Sequence, residues 1–291
     1  GTMSPTSAEE ALAFFESLPA GAAMVIKAVA GGGGRGMRIV RTAAEVAAAH
    51  ERCTSEALAA FGSGEVYVER LVERARHIEV QIVGDRHGGV GHLWERECTL
   101  QRRHQKLVEL APSASLPADL RGAIVDAAVA LARHAGYDNL GTMEFLVDDA
   151  ATEPVPLFIE ANARLQVEHT VTEAVTGVDL VRTQLRLADG ATLGALGLAE
   201  PPPVRGRAVQ LRVNMETMQE DGGTRPAGGT LRRFQPPTGA GVRVDTLGYA
   251  GYATSGAFDS LLAKVIVHEP EPDLGALLRR ADRALAAFQI D

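Results

Sequence analysis

Cysteine is nearly absent: Cys53 and Cys98 are the only two in 291 residues. Two are too few for a disulfide framework or a four-ligand zinc cage, and they fit a reducing, cytoplasmic setting. Long hydrophobic runs are missing too. The longest apolar helix candidate, Ala123 to Ala132, is broken by Asp126, so no stretch reaches the roughly 18 uncharged residues that suggest a membrane span. No basic start followed by an apolar core marks a signal peptide. Positive charge is in deficit, with 29 Lys and Arg against 37 Asp and Glu for a formal net charge of −8. That balance argues against broad nucleic-acid binding. No HRD-x-x-x-x-N or DFG string occurs, which removes the protein kinases. No internal repeat is present, and no low-complexity tract beyond one glycine run.

What remains is the balance of a globular protein, 46% apolar and 23% charged, long enough for a real core and two structural units. Ser7-x-x-Glu10 and Thr42-x-x-Glu45 are capping boxes. The first predicts a helix through Leu18, the second a helix to about Ala60. With strands at Ala23 to Val29, Met37 to Val40 and Val66 to Glu69, the first 70 or so residues read helix–strand–Gly loop–strand–helix–strand, a small unit suited to a mobile lid. His77 to Val83 and Val90 to Glu95 form a predicted hairpin. Pro117 opens a helix to about Ala135. Gly141 to Val147 and Leu157 to Glu160 are strands, and Asp179 caps a helix from Leu180 to Ala188. Beyond AEPPPVRG the texture changes, placing a boundary near 200. Short strands follow at Ala208 to Val213, Gly229 to Phe234, Gly241 to Asp245 and Leu261 to His268, then a helix from Asp273 to Phe288.

Four places carry chemistry. The stretch Val25 to Val40 sets four glycines, an arginine and a fifth glycine between apolar runs. Gly31-x-Gly33-x-x-Gly36 fits the dinucleotide spacing, but that site and a P-loop both need a helix after the glycines. The strand-like Met37 to Val40 makes the loop a hairpin tip instead. Backbone N–H groups there can fold over phosphates, since no Cβ blocks approach, and Lys27 on the entering strand can reach one; a mobile hairpin without function is the other reading. In GTMEFLVDDATEPVPLFIEAN, pairing Val147 with Leu157 sets Glu144 opposite Glu160, with Asn162 on the same face. Opposed carboxylates ask for a cation, and hard oxygen ligands suit Mg²⁺ or Mn²⁺; the alternative is two exposed glutamates on a sheet edge.

In NARLQVEH, Arg164, Gln166 and Glu168 alternate, so an extended chain puts them on one side. A guanidinium there can hold a small oxyanion while the carboxylate takes its proton; the alternative is a structural Arg–Glu pair. His169 reads as structural, with no second His or Cys at metal spacing. Arg102 to Lys106 is a basic run in an acidic chain, either a small-anion patch or a solvated surface. Glu69 closes a strand where a hinge could meet an adenine edge. Arg243 in GAGVRVDT is opaque to reasoning from residue types.

The strings KAVAGGGGRGM, RHIEVQIVGD, ERECTLQRRHQKLVELAP, GTMEFLV, FIEANARLQVEHTVTE and AFDSLLAKVIVH occur in one order. With them the chain resembles biotin carboxylase, an ATP-grasp enzyme of the biotin-dependent carboxylases, from the glycine loop to the last helix. RLQVEH together with QRRHQK is far more specific than the glycines. The resemblance implies an α+β fold with an ATP-grasp lid over residues 1–71, an ATP-grasp core with a central antiparallel sheet over 72–200, and a biotin carboxylase C-terminal subdomain over 201–291. It implies a ligase that uses ATP and bicarbonate, through carboxyphosphate, to carboxylate biotin on a carrier protein.

By position, Lys27 with Gly32, Gly33 and Gly34 would contact nucleotide phosphates, and Glu69 and Val72 would form the hinge around the adenine. His77, Gln101 and His104 would be further nucleotide contacts. Lys106 would reach phosphates and the carboxylated intermediate. Glu144, Glu160 and Asn162 would carry Mg²⁺ or Mn²⁺. Arg164, Gln166 and the Val167 backbone would hold bicarbonate, Glu168 would be its general base, and Arg243 would stabilise the biotin enolate. The implied cofactors are ATP and Mg²⁺ or Mn²⁺, with biotin as carrier-bound substrate. The implied partners are a biotin carboxyl carrier domain and a carboxyltransferase domain or subunit, in a homo-oligomer, with no nucleic acid and no membrane.

The family begins with a Rossmann-like domain that does not precede Gly1, and it continues past Asp291. No biotinyl AMKM motif or carboxyltransferase region is present, and Ala163 stands where the family commonly has Thr or Pro. The expectation is part of a longer carboxylase; EANARLQVEHTVTE and VNMETM lean toward the acyl-CoA or pyruvate type. Two rivals stand beside it. One is another ATP-grasp ligase of the carbamoyl-phosphate-synthase type, which should lack RLQVEH and FDSLLAKV. The other is an inactive fragment that keeps only nucleotide affinity.

Overall fold

The computed structural model describes residues 1–2, 4–31, 36–220, 223–256 and 259–291. The chain divides into two compact units, residues 1–75 with 103–105 and residues 76–102 with 106–291. Gly32, Gly33 and Gly34 lie outside the described residues.

The first unit runs α1 (Ala8–Glu16), β1 (Met24–Ala28), β2 (Met37–Val40), α2 (Val46–Phe61) and β3 (Val66–Arg70). Both capping boxes form. The Glu10 carboxylate accepts from Ser7 N at 2.8 Å while Ser7 Oγ accepts from Glu10 N. The Thr42 box opens a 3₁₀ turn over Ala43–Glu45 ahead of α2. The strands make an antiparallel sheet in the order β2–β1–β3, and Ala11, Val46, Ala49 and Cys53 pack on Met24, Ile26, Val40, Val66 and Val68. Lys27 pairs with Met37 across β1 and β2, so the glycine run joins two antiparallel strands, as the missing helix predicts. Gly36 has φ +68, and a Cβ there would fall 2.9 Å from Ala28 Cβ, so glycine is the residue that fits.

The second unit is built on β4 (Ala75–Gly84), β5 (Val90–Arg102), β6 (Gln105–Ala111), β7 (Asn139–Asp148), β8 (Pro156–Asn162), β9 (Arg207–Asn214), β14 (Val242–Thr246) and β16 (Leu261–Glu269). They form one eight-stranded sheet in the order β14–β16–β9–β6–β5–β4–β7–β8. The sheet therefore runs on across residue 200, with strands from either side of it side by side at β6 and β9. Short ladders pair β10 (Glu216–Met218) with β11 (Thr224–Pro226), β12 (Gly229–Thr230) with β15 (Ala253–Thr254), and β13 (Phe234–Gln235) with β17 (Gln289–Ile290). The strand predicted over Gly229 to Phe234 is thus two short pieces in different ladders.

Among the described residues four helices cover this sheet: α3 (Ala118–His134), α4 (His169–Thr176), α5 (Leu180–Ala188) and α6 (Leu274–Ala287). One face of the sheet is apolar. Ile78, Val80, Ile82, Met143, Phe145 and Val147 pack under Leu120, Ile124 and Ala128 of α3. Val209, Val265 and Val267 pack under Leu277 and Ala281 of α6. Because successive strand side chains alternate, the residues between these point the other way. There α5 buries Leu180 and Leu187 on Val83, Leu93 and Leu140, and α4 buries Val171 and Val175 on Ala111, Ala208 and Ile266. Between those two apolar contacts the face is polar. Strand β6 and helix α4 were not foreseen. The basic run at 102–106 hid the strand, and the alternation read through 164–168 stops at a turn that leads into α4.

Candidate active site

Strand β4 carries the first pair of polar side chains. Its alternation sends Ile78 and Val80 into the α3 core and Glu79 and Gln81 to the opposite face. Arg96 lies directly opposite Glu79 on β5, and both side chains are 0% exposed with Arg96 Nε 2.5 Å from Glu79 Oε1. The rest of the Arg96 guanidinium donates to Gln81 Oε1 at 2.7 Å, Thr172 Oγ1 at 3.1 Å and Thr142 Oγ1 at 3.2 Å.

A row of alternating charge extends from this pair. Lys106 Nζ lies 2.5 Å from Glu79 Oε2, 3.0 Å from Glu144 Oε1 and 2.7 Å from Glu168 Oε1. The second oxygen of Glu168 takes Arg212 Nη2 at 3.1 Å, and Arg212 Nε lies 2.6 Å from Glu109 Oε1. Gln210 Nε2 donates to Glu109 Oε2 at 2.9 Å, and Thr170 Oγ1 donates to Gln210 Oε1. Helix α4 thus supplies hydroxyls at both ends of the row, Thr172 to Arg96 and Thr170 to Gln210.

The electrostatics follow from this packing. Burial works against the charge on Lys106, but Glu79, Glu168 and Glu144 raise its pKa above the ordinary lysine range. Burial also opposes ionisation of Glu144, yet the His77 hydrogen bond and the Lys106 charge hold its pKa down at about 2. Glu109 goes the other way. Burial raises its pKa to about 7, because Arg212 offsets only part of the desolvation and Glu168 adds repulsion.

The proposed metal carboxylates meet through a register shift. Val147 pairs with Pro156 and Leu146 with Leu157, one step from the expected Val147–Leu157 pairing. A bulge between Glu144 and Phe145 absorbs Ile159 and restores Glu144 opposite Glu160 and Thr142 opposite Asn162. Asn162 Nδ2 lies 2.9 Å from Glu144 Oε1 and 3.0 Å from Glu160 Oε1. Glu144 is buried and Glu160 exposed. Gln166 Nε2 donates to Glu144 Oε1 at 2.9 Å, while its Oε1 is buried with no hydrogen-bond partner. Two carboxylates, an amide that can present oxygen by reversal, and an unsatisfied buried carbonyl oxygen make a donor set that fits a hard divalent cation.

Other expected residues are distributed less simply. His77 Nε2 lies 2.6 Å from Glu144 Oε2, and its Nδ1 lies 2.8 Å from Gln101 Nε2, so of these two expected nucleotide residues His77 meets a carboxylate of the candidate cation site and Gln101 meets His77. Arg164 is not beside Glu168 as an extended chain would place it. It is exposed, with long bonds of 3.4 Å to Leu165 O and 3.5 Å to Asn162 Oδ1, and the guanidinium on Glu168 is that of Arg212. The chain turns at Val167, whose carbonyl accepts from Lys264 Nζ at 3.0 Å. His169 is structural, with Nδ1 2.7 Å from Gln166 O.

The basic run is not one patch. Arg102 pairs with Glu216, Lys106 lies partly buried in the carboxylate row, and Arg103 and His104 form the β5–β6 turn at φ 48 and 67. In the first unit Lys27 Nζ lies 2.6 Å from Glu69 Oε2, and Val72 follows β3 half-buried. Arg243 is held by Asp245 at 2.7 and 2.9 Å and by Glu173 at 2.7 Å; the Asp245 hydrogen bonds, with help from Glu173, raise its pKa against the opposing effect of burial.

Glu79, Arg96, Glu109, Arg212 and Lys264 were missed. For Glu79, Arg212 and Lys264 the signal is a charged residue inside an alternating apolar run: HIEVQIV, VQLRVN and LLAKVIV. Each reads as a strand with one polar face, but nothing local says that those faces are buried against one another.

Comparison with known proteins gives the class first. Residues 1–196 match the family model for the carbamoyl-phosphate synthase L chain, ATP binding domain, which with the large antiparallel sheet defines an ATP-grasp protein. Residues 210–291 match the biotin carboxylase C-terminal domain; with both matches in one chain, the chain belongs to the biotin carboxylase family. It is 48% identical over 294 residues to pyruvate carboxylase 1 of Caenorhabditis elegans and 45% identical over 293 residues to the mitochondrial pyruvate carboxylase of Homo sapiens. All of this chain is covered in both matches, and it spans 24% of the length of either relative. The biotin carboxylase domain of Hydrogenobacter thermophilus 2-oxoglutarate carboxylase, solved with MgADP, ADP and bicarbonate, superposes with a TM-score of 0.90 at 38% identity, covering 100% of this chain and 62% of that one. Among the described residues no helix is long and apolar enough to cross a membrane.

Proposed function

We propose that the chain carboxylates biotin on a carrier domain, using ATP and bicarbonate. The carrying observation is Glu168, a buried carboxylate held between Lys106 and Arg212 and joined through Lys106 to Glu144 of the cation site. A carboxylate so fixed is a base with one direction in which to act. Glu168 takes the bicarbonate proton as bicarbonate oxygen attacks the γ-phosphorus of ATP, giving carboxyphosphate and ADP. Carboxyphosphate yields CO₂ and phosphate, the phosphate removes the biotin N1′ proton, and the enolate attacks CO₂. We assign Arg164, Gln166 and the Val167 backbone to bicarbonate, Lys106 to the charge developing on phosphate, and Arg243 to the biotin enolate. Glu144, Glu160 and Asn162 would hold Mg²⁺ or Mn²⁺, which when bound neutralises phosphate charge. In the first unit Lys27, Glu69, Val72 and His104 are assigned to the nucleotide, and in the second His77 and Gln101.

The same reading makes residues 1–71 a lid, 72–200 the ATP-grasp core and 201–291 the C-terminal subdomain. It implies a carrier domain, a carboxyltransferase domain or subunit, and a homo-oligomer. Two buried free thiols, Cys53 and Cys98, support a reducing cytoplasmic setting; cell fractionation tests this against the organelle named for the human relative.

The test is bicarbonate-dependent ADP release with and without free biotin, on this chain and on the full-length protein. Biotin-stimulated release is expected, and its absence from both sinks the proposal. Glu168→Gln is expected to lose bicarbonate-dependent turnover while keeping nucleotide binding; equal activity removes Glu168 as the base.

A further inference from the structure

We infer that Arg212 and Lys264, two cations of the C-terminal segment, clamp the Gln166–Glu168 corner and hold Glu168 in its reacting position. The inference rests on the reading of Glu168 as the bicarbonate base, and it assigns both cations as positioning residues. The corner lies between the end of β8 and the start of α4, in neither strand nor helix, so no backbone ladder fixes it. Its anchors come from β9 and β16. Arg212 Nη2 lies 3.1 Å from Glu168 Oε2, and Lys264 Nζ lies 3.0 Å from Val167 O. One anchor thus fixes the side chain and the other the backbone of adjacent residues.

Sheet register makes this arrangement costly unless it is used. Arg212 and Lys264 are direct cross-strand partners, and opposed like charges destabilise a ladder. Their side chains are only 11% and 12% exposed. Each is steadied by its own carboxylate, Arg212 by Glu109 at 2.6 Å and Lys264 by Asp245 at 3.4 Å. The planar guanidinium spans Glu109 with Nε and Glu168 with Nη2, a fixed fork of two nitrogens that the single nitrogen of a lysine does not present. Lys106 holds the other oxygen of Glu168, but its assigned role draws it toward phosphate. Arg212 then remains as the cation that keeps the carboxylate aimed. The catalytic corner belongs to the ATP-binding match, residues 1–196, and both anchors to the C-terminal match, residues 210–291. On this account the second segment completes the first one's base.

The test uses the full-length carboxylase with Arg212→Met, Arg212→Lys, Lys264→Met and Lys264→Arg. Steady-state ATP cleavage against bicarbonate is measured together with MgADP affinity by calorimetry. Both Arg212 variants and Lys264→Met are expected to lose about 10–100-fold in kcat/KM for bicarbonate, the scale seen when a supporting residue is removed. MgADP affinity is expected to stay within about twofold, since a misaimed base affects only the bicarbonate step. Lys264→Arg, which can still donate to the Val167 carbonyl, is expected to restore most of the loss. Unchanged kcat/KM for bicarbonate in Arg212→Met overturns the clamp, as does a parallel loss of MgADP binding in Arg212→Lys, which would mark a general structural role. An inactive wild-type protein overturns the carboxylase reading and the clamp with it, whereas an active wild type with unaffected variants overturns the clamp alone.

Discussion

Glu79→Ala probes the buried row at its least exposed point. Glu79 and Arg96 are both 0% exposed and lie 2.5 Å apart. Removing one partner of such a pair costs about 3–5 kcal/mol, because the other charge stays buried without compensation. Arg96 keeps its bonds to Gln81, Thr172 and Thr142, so the lower part of that range applies, about 3–4 kcal/mol. Lys106 loses only one of its three carboxylates, which adds little. For a unit of this length each kcal/mol lowers Tm by about 2–4 °C, so a fall of about 10 °C is expected. Thermal unfolding followed by circular dichroism measures it in wild type, Glu79→Ala, Arg96→Met and the double variant. The double variant should recover about 2 kcal/mol relative to the sum of the singles, because removing both charges removes the penalty of either alone. A loss below about 1 kcal/mol in Glu79→Ala, or strict additivity in the double variant, would refute the claim that this pair is a compensated buried ion pair.

Further outcomes follow from the same geometry. Glu109 titrates at about 7 in the folded chain against an ordinary 4.5. The folded state holds the proton more tightly, so this stabilisation is fully present below pH 4.5 and is lost as pH rises through 7, about 3 kcal/mol in all. Glu109→Gln should remove that decline; the same change in Tm from pH 5 to 7 in both proteins refutes it. Gly84→Ala should destabilise by about 1–3 kcal/mol, because its Cβ would fall 2.2 Å from the Tyr137 carbonyl oxygen; denaturant unfolding with an unchanged midpoint counts against that contact. Glu144→Gln is expected to weaken Mn²⁺ binding at least about tenfold, read from free Mn²⁺ by paramagnetic resonance, and an unchanged affinity removes Glu144 from the cation site.

The parts legible from sequence are those set by local chemistry. Ser7 and Asp179 cap where their spacing says, whereas Glu144 faces Glu160 for a reason that is not local. The bulge at Ile159 was not legible: a one-residue offset at the hairpin tip and an extra residue further along cancel, so a wrong register led to the right pair. The expected pairing of Arg164 with Glu168 failed for a related reason. Alternation predicts a shared side only while the chain stays extended, and it turns at Val167. Arg212 and Lys264 were out of reach altogether. Their role depends on which strands become neighbours, and the crossing from β6 to β9 joins Val108 to Leu211 across a separation that no window of sequence spans.

The two faces of the large sheet explain how such a site can exist. A row of carboxylates and cations out of water is not a source of stability, since an apolar replacement of like volume is often as good or better. The apolar face under α3 and α6 supplies the stability instead, and β4 shows the division within one strand: Ile78, Val80 and Ile82 go to that core while Glu79 and Gln81 go to the row. Helix α4 then closes the polar face with threonines, whose hydroxyls satisfy Arg96 and Gln210 without adding charge. The carboxylates are therefore dehydrated and aimed before any ligand arrives. On the proposed function, Glu144 would hold the cation through an oxygen that is already desolvated, and Lys106 would then serve phosphate. Preorganised charge of this kind would lose little to solvent reorientation during the proposed reaction, which on that reading is the physical reason for the fold to keep ions where hydrophobic side chains would be cheaper.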